Sequence, residues 1–228
     1  MVRRTIDNFD IAQICDSGQC FRMEKKAERL YSVVAAGKYL EVEQSGRNLV
    51  FSCDEEEFGE LWETYFDLSR DYGAYISSID PNDKYLSSAA LFGSGIRILR
   101  QELWEMIVSF LISQQNNIVR IRRCIYNICE KYGEKRTSFR GEAYYKFPLP
   151  ESLAYLPEDA LKECNLGYRS KYVVRTARCI AQGDCDLEEI RRMKYREAKV
   201  ELLKLFGVGE RWRIVSACLL LDIWRHSQ

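Results

Sequence analysis

The pattern of hydrophobic and polar positions changes character once along this chain. In the first part, three short segments alternate apolar and polar residues and are rich in β-branched and aromatic side chains, as half-buried strands are. Turn signals at Gly37 and at Ser45-Gly46 separate them. The three segments are 31–35, 38–43 and 48–53. We therefore expect antiparallel strands here, followed by a helix that Asp54 opens and that continues through Tyr65.

From about Pro81 onward, apolar residues recur every three or four positions, which is the period of an amphipathic helix. Residues 103–111 and 118–128 present two such apolar faces, and the polar sequence 114–117 separates them. Capping residues predict further helices at 157–167, from Ser170, from Asp186 and at 195–206. The chain is therefore predicted to be α+β, with an antiparallel β domain and helix over 1–80 and an all-α domain over 81–228.

Composition places the chain among globular proteins. Of its 228 residues, 46% are hydrophobic and 30% are charged, and the length suffices for a substantial core. No apolar run approaches the roughly 20 residues that a membrane helix needs. The first ten residues also lack the apolar core of a signal peptide. We expect a cytoplasmic protein, associated with the nucleoid in a prokaryote, without a membrane partner.

The cysteine and histidine content narrows the chemistry. Nine cysteines without framework spacing predict reduced, mostly buried thiols, and the absence of a CxxC motif argues against a zinc ribbon or an iron–sulfur cluster. The one histidine in the sequence is His226, so Ser-His-Asp catalysis and most histidine-based metal catalysis are disfavoured. No metal bound by side chains is expected.

Charge is segregated along a chain whose formal net charge is zero. Residues 41–71 hold ten acidic residues against two arginines, whereas residues 118–140 hold seven basic residues against two acidic ones. Residues 167–181 hold four basic residues and no acidic residue. One face of the second half can therefore be strongly positive and suit a phosphate backbone, although solvated helix faces explain the same charges equally well.

Five local motifs, taken in order, resemble the 8-oxoguanine DNA glycosylase/AP lyase family of the helix-hairpin-helix superfamily. They are SGQCFR at 17–22, FDLSRDY at 66–72, SFLISQQNNIVRI at 109–121, NLGYRSKYVVRTAR at 165–178 and LFGVG at 205–209. The resemblance runs from Phe9 to Gly209 and then fails. It implies that the second domain is a helical DNA glycosylase domain, incomplete at the C-terminus. It also implies that the partner is double-stranded DNA containing a damaged guanine, bound by a monomer.

The resemblance implies that Gly18 reads the damaged base. In the family, the carbonyl of this glycine accepts a hydrogen bond from N7–H of 8-oxoguanine, whereas normal guanine carries a lone pair at N7. A buried acceptor left without a donor is strongly disfavoured, so one backbone oxygen can discriminate between the two bases. On the residues alone, Gly18 is better explained as an ordinary turn glycine.

Six further residues match positions that hold the opened duplex in the family. Gln115, in a loop with Asn116 and Asn117, corresponds to the amide that fills the space left by the flipped base. Arg120 and Arg169 correspond to arginines that hydrogen-bond the estranged cytosine, and Tyr168 corresponds to the aromatic wedge beside it. Arginine suits the acceptors of cytosine, and a phenol ring can stack on a base. Read without the family, Tyr168 is a core aromatic and the arginines belong to a solvated face.

The predicted hairpin over 202–210 corresponds to the phosphate-binding turn of the family. Its glycines, Gly207 and Gly209 on either side of Val208, allow backbone amides to approach a DNA phosphate closely. A helix C-cap glycine would give the same letters. No organic cofactor is implied, and a monovalent cation bound by the hairpin carbonyls is a family expectation.

The motif that should follow the hairpin is absent. Arg211 stands where the family has the lysine that attacks the sugar C1′, and no aspartate matches the family's downstream acid. Arginine stays protonated and cannot supply a neutral amine, so no catalytic residue is expected to be intact. Loss of one base from plausible codons for the family motif would produce Glu210 to Cys218 as they stand. We therefore expect an atypical tail over 211–228 that arose by a frameshift, the alternative being a genuine tail in which Arg211 is the natural residue.

Three functions remain open on the sequence. The first is a base-excision-repair glycosylase/AP lyase lineage that recognises 8-oxoguanine opposite cytosine, with this chain catalytically impaired. The second is a non-catalytic remnant that binds damaged DNA through Arg120, Arg169 and the hairpin. The third is an alkylpurine glycosylase of the same superfamily, which is disfavoured because such enzymes need no SGQ carbonyl and use an aspartate without the lysine.

Overall fold

The computed structural model of the chain describes residues 1–209. The predicted tail over 211–228, with Arg211 and Cys218, lies outside the described residues. The chain divides into two compact units. The first comprises Met1–Val34 and Tyr39–Arg100, and the second comprises Ala35–Lys38 and the chain from Gln101 onward. The predicted domain boundary after residue 80 stays a prediction.

The first unit is built on a five-stranded antiparallel sheet with strand order β1-β5-β4-β3-β2. The strands are β1 (Val2–Thr5), β2 (Met23–Lys25), β3 (Leu30–Ala35), β4 (Lys38–Ser45) and β5 (Asn48–Phe51). Val2, Phe51 and Val42 stand opposite one another on three neighbouring strands and are all buried. The alternation therefore places one row of apolar side chains in the core, as the pattern predicted for β3, β4 and β5.

Five short helices and one π-helical turn belong to the first unit. They are α1 (Ile11–Asp16), α2 (Glu55–Glu57), the π-helical turn (Phe58–Trp62), α3 (Glu63–Tyr65), α4 (Tyr72–Ser77) and α5 (Lys84–Phe92). Asp54 caps α2 by accepting a hydrogen bond from the Glu57 N–H at 2.8 Å, as the sequence predicted. Four aromatic rings from this helical segment and the neighbouring strand β5 pack on one another in edge-to-face or tilted pairs. They are Phe51, Phe58, Trp62 and Phe66.

The second unit is helical, and this confirms the predicted α+β class. Its elements are α6 (Leu103–Ser113), α7 (Ile118–Tyr132), β6 (Lys135–Thr137), β7 (Ala143–Tyr145), α8 (Pro150–Ala154), a 3-10 helix (Ala160–Cys164), α9 (Arg169–Ala181), α10 (Leu187–Arg192) and α11 (Tyr195–Leu203). The predicted face of α6 is buried apart from the half-buried Phe110. The predicted face of α7 is buried at Ile121, Ile125 and Ile128, but Ile118 at the start of the helix is 52% exposed, so its assignment to that face was wrong. The two-stranded β6-β7 hairpin was not predicted, because its strands are only three residues long and carry a weak alternation.

Candidate functional site

The polar loop between α6 and α7 has a shape that its own amides determine. The Asn117 side chain caps α7 by accepting a hydrogen bond from the Arg120 N–H at 2.9 Å. The Asn116 side chain donates to the Ile112 carbonyl at 3.0 Å, and Gln115 takes a left-handed conformation with φ +48°. Two of the three predicted loop residues therefore close the loop, and the exposed Gln115 lies at its turn.

Arg169, the first residue of α9, holds this loop from the other side. Its guanidinium donates through Nε to the Gln114 carbonyl at 2.9 Å and through Nη2 to the carbonyls of Gln114 and Gln115, the latter at 3.0 Å. Arg169 is only 4% exposed, so the alternative that it belongs to a solvated face is wrong. Its contact with an estranged cytosine stays a prediction.

Tyr168 and Arg120 lie at the solvent-facing edge of the same site. Tyr168 is 46% exposed, which excludes a core aromatic, and the Arg169 guanidinium lies 4.6 Å from its ring centroid. Arg120 is exposed on the first turn of α7, and its Nη2 lies 3.4 Å from the Asn165 carbonyl. An aromatic ring and a guanidinium are thus both available to a ligand.

The predicted hairpin turn is tied to the loop by a side chain that the sequence analysis did not single out. The Gln114 amide donates to the Gly207 carbonyl at 2.7 Å, and the Val208 N–H donates to the Leu205 carbonyl at 3.1 Å. Val208 is buried, and Gly209 is exposed. The loop, the N-terminus of α9 and the hairpin turn therefore form one hydrogen-bonded group.

Tyr172 connects the wedge position to the hairpin. Its ring packs edge to face on Tyr168, with centroids 5.8 Å apart, and on Phe206, with centroids 5.4 Å apart. Tyr172 was not predicted as a site residue, although its position four residues after Tyr168 on a helix was a usable signal. This row of aromatic rings positions the turn that contains Gly207.

Gly207→Ala is expected to destabilise the protein by about 1–3 kcal/mol and to weaken duplex DNA binding. The Gly207 φ is +89°, and an added Cβ would lie 2.7 Å from the Tyr172 ring. Thermal unfolding and fluorescence anisotropy with a labelled duplex measure the two effects. Gly183→Ala is the matched control, because Gly183 has φ +80° and open space around its Cβ position. Equal effects of the two substitutions on stability and affinity would contradict the steric explanation.

The hairpin carbonyls are the type of ligand that the monovalent cation implied by the family resemblance requires. The carbonyls of Leu205, Phe206 and Gly207 each accept a hydrogen bond, from the Val208 N–H, the Thr176 hydroxyl and the Gln114 amide respectively. A carbonyl oxygen has two lone pairs, so each retains acceptor capacity for a hard monovalent cation. Cation binding there stays a prediction.

Burial and ion pairing determine the protonation of groups around the site. Burial raises the pKa of the Cys124 thiol, although the nearby Arg120 opposes the shift. The thiol is therefore a neutral neighbour and not a nucleophile at neutral pH. The hydrogen bonds from Arg175 lower the pKa of the Glu158 carboxyl, which pairs with that guanidinium at 2.7 and 3.0 Å.

Two further findings concern residues 1–209 only. No group of three or more His, Cys, Asp or Glu side chains that could hold a metal ion is found in this part of the chain. None of its helices has the length and apolar character needed to cross a membrane.

Gly18 lies in the first unit, in the turn between α1 and β2. Its φ is +77°, and it is exposed. The other described site residues lie in the second unit, where Arg169, Gln114 and Tyr172 bring them together. The structure therefore shows one cluster within the second unit, and Gly18 in a turn of the first.

Two family models together match the whole of the described chain. Residues 1–107 match the family model for the 8-oxoguanine DNA glycosylase N-terminal domain, and residues 108–217 match the model for HhH-GPD superfamily base excision DNA repair proteins. The 8-oxoguanine glycosylase/lyase of Clostridium acetobutylicum, solved with double-stranded DNA containing cytosine opposite 8-oxoG, is 38% identical with a TM-score of 0.89. That match covers 98% of this chain and 76% of the solved chain.

Two curated relatives are longer than this chain. The N-glycosylase/DNA lyase of Saccharomyces cerevisiae is 36% identical over 152 residues, which are 62% of this chain and 39% of the relative. The probable N-glycosylase/DNA lyase of Methanothermobacter thermautotrophicus is 30% identical over 186 residues, which are 73% of this chain and 57% of the relative. The match thus spans less than two thirds of either relative.

Proposed function

Because the chain belongs to the 8-oxoguanine DNA glycosylase family of the helix-hairpin-helix superfamily, we propose that it binds duplex DNA and recognises 8-oxoguanine opposite cytosine by base flipping. The observation that carries this proposal is the hydrogen-bonded group formed by the loop, Arg169 and the Gly207 turn. It brings an amide, an aromatic ring and a hairpin turn to one place. These are the groups that an opened duplex requires.

Each part of this group has a task in holding an opened duplex. Flipping a nucleotide costs a few kcal/mol, and the gap must be filled and the neighbouring bases supported. The exposed Gln115 amide can occupy the gap, and Tyr168 can stack beside it. Arg120 would offer a guanidinium to the estranged cytosine, and the backbone amides at Gly207 and Gly209 would donate to a phosphate. A monovalent cation at the hairpin carbonyls would add positive charge there.

This chain lacks the lysine that performs the sugar chemistry in the family. Arg211 stands at the position of the family's lysine, and a guanidinium does not become a neutral amine at ordinary pH. We infer that Schiff-base formation is impaired. Arg211 thus favours a second candidate function, binding of damaged DNA without chemistry, which uses the same contacts.

Anisotropy titrations and borohydride trapping test both candidates. We expect this chain to bind an 8-oxoguanine:cytosine duplex more tightly than a guanine:cytosine duplex, with affinities that fall as salt rises because phosphate contacts release counterions. We expect no trapped covalent adduct on the lesion duplex. The glycosylase/lyase from Clostridium acetobutylicum serves as the positive control for trapping.

Three other outcomes change the conclusion. A trapped adduct would exclude the non-catalytic candidate. Equal affinity for the two duplexes would remove lesion recognition from the proposal. Preferential excision of alkylated purines, with none of 8-oxoguanine, would support the alkylpurine glycosylase reading instead.

A further inference from the structure

We propose that Gln19 is a positioning residue for lesion reading, which aims the Gly18 carbonyl by tying its peptide group to residues 97–99. The inference rests on the proposed function, because it assumes that the Gly18 carbonyl reads N7 of the base. It adds a second determinant of specificity, in which the side chain next to the reading carbonyl determines where that carbonyl points. All the contacts involved lie within the first unit.

The direction of the Gly18 carbonyl follows from a contact at the other end of the same peptide group. The Gln19 N–H points at the Ser17 hydroxyl oxygen, with N and Oγ 3.4 Å apart. A trans peptide is planar with its C=O antiparallel to its N–H, so the Gly18 carbonyl points away from Ser17. The Ser17 hydroxyl is itself held, because it donates to the Ile14 carbonyl at 2.7 Å.

The Gln19 side chain reinforces this orientation with three hydrogen bonds. Its Nε2 donates to the Ser17 Oγ at 3.1 Å and to the Arg97 carbonyl at 3.0 Å. Its Oε1 accepts from the Leu99 N–H at 3.0 Å. Both amide protons and the amide oxygen are therefore engaged, which restrains rotation of the side chain and of the peptide that precedes it.

Residues 97–99 are a rigid anchor for this amide. The Arg97 side chain is buried and donates to the carbonyls of Asp7, Asn8 and Asp67 at 2.8 to 3.1 Å, and more weakly to that of Arg70 at 3.3 Å. The Tyr72 hydroxyl accepts from the Ile98 N–H at 3.0 Å and donates to the Asp67 carboxylate at 2.9 Å. Residues of the FDLSRDY motif thus stabilise the segment to which the Gln19 side chain hydrogen-bonds.

Such bracing matters because Gly18 has little of its own to restrain it. Its φ of +77° lies in a region open to glycine, and no atom beyond Gly18 and its two chain neighbours lies within 4 Å of the position that a Cβ would occupy. A carbonyl that rotates freely can turn away from the N7 lone pair of guanine and avoid the penalty for an unpaired contact. A carbonyl held in place cannot turn away, so the hydrogen bonds that hold it contribute to the discrimination between 8-oxoguanine and guanine.

The test compares variants on three duplexes with cytosine opposite 8-oxoguanine, guanine or an abasic-site analogue. Gln19→Ala removes the three side-chain hydrogen bonds, and Ser17→Ala removes the acceptor of the Gln19 N–H. We expect each variant to reduce the preference for 8-oxoguanine over guanine by about tenfold, or 1.4 kcal/mol. Affinity for the abasic duplex, which has no base to read, should stay within twofold of wild type.

Gln13→Ala is the matched control. Gln13 also joins α1 to the following segment with two backbone hydrogen bonds, to the Phe92 carbonyl and from the Gly95 N–H, each at 3.1 Å. Neither of these two hydrogen bonds involves the Gly18 peptide. We expect Gln13→Ala to lower the free energy of unfolding about as much as Gln19→Ala does and to keep the wild-type preference for 8-oxoguanine.

The outcomes separate this inference from the proposed function. If wild type does not prefer the 8-oxoguanine duplex, the proposed function fails first. If wild type has the preference and both Gln19→Ala and Ser17→Ala retain it, the positioning role is overturned while the function stands. A loss of affinity for all three duplexes alike would assign Gln19 a purely structural role and also overturn the inference.

Discussion

Arg169→Ala is expected to lower the free energy of unfolding by about 3 kcal/mol, and the Tm by roughly 6–12 °C, and to reduce lesion-duplex affinity at least about tenfold. Arg169 is almost fully buried, and its guanidinium donates to the carbonyls of Gln114 and Gln115. Alanine would leave these acceptors without donors and would release the turn that presents Gln115. Thermal unfolding and anisotropy measure the two effects.

Arg178→Ala is the control for Arg169→Ala. Arg178 lies on the same helix, and its guanidinium also donates to two backbone carbonyls, those of Ala154 at 3.1 Å and Leu156 at 3.4 Å. It does not hydrogen-bond the 114–117 loop in the described structure. We expect Arg178→Ala to lower stability and to leave duplex affinity nearly unchanged. If both variants lost affinity in proportion to their lost stability, the specific role of Arg169 in the site would be refuted.

Gly133→Ala is expected to be the most destabilising glycine substitution in the second unit, by about 3 kcal/mol or more. Gly133 follows α7, and its N–H donates to the Cys129 carbonyl at 2.8 Å. A Cβ added there would lie 2.0 Å from the Lys146 carbonyl oxygen and 2.5 Å from the Cys129 carbonyl oxygen. Both are backbone atoms, so relief of the clash must displace the chain. Chemical denaturation measures the loss.

Gly59→Ala provides the comparison for Gly133→Ala. Gly59 lies in the π-helical turn without a positive φ, and no atom beyond its chain neighbours and its own helix backbone lies within 4 Å of its Cβ position. Alanine should be neutral or slightly stabilising there, because it loses less backbone entropy than glycine. A loss of stability at Gly59 as large as that at Gly133 would show that the backbone clash is not the cause.

Local patterns predicted the elements that carry the site with good accuracy. The apolar periodicity located α6 and α7, and the polar break between them became the loop at 114–117. Asp54 and Asp186 were both predicted to open helices, and both side chains accept N-terminal N–H groups. These predictions succeed because caps and helical faces depend on residues that lie within a few positions of one another.

The strands that the sequence did not predict are short or stabilised by distant partners. Strands β1, β2, β6 and β7 have four residues or fewer, so alternation over their length carries little information. The β1 strand pairs with β5, which follows it by more than forty residues. Its pairing depends on a long-range register that no local pattern contains.

By itself, the sequence determined the α+β order of the elements, the amides of the central loop, the glycines that favour left-handed turns and the arginine at position 211. Only the tertiary structure decided where the polar side chains make their bonds. Arg169 donates to a loop that lies 54 and 55 residues earlier, and Gln19 bonds to a backbone segment that lies 78 and 80 residues later. Such partners meet only when the chain has folded, because hydrogen bonding depends on distance and direction in space and not on spacing along the sequence.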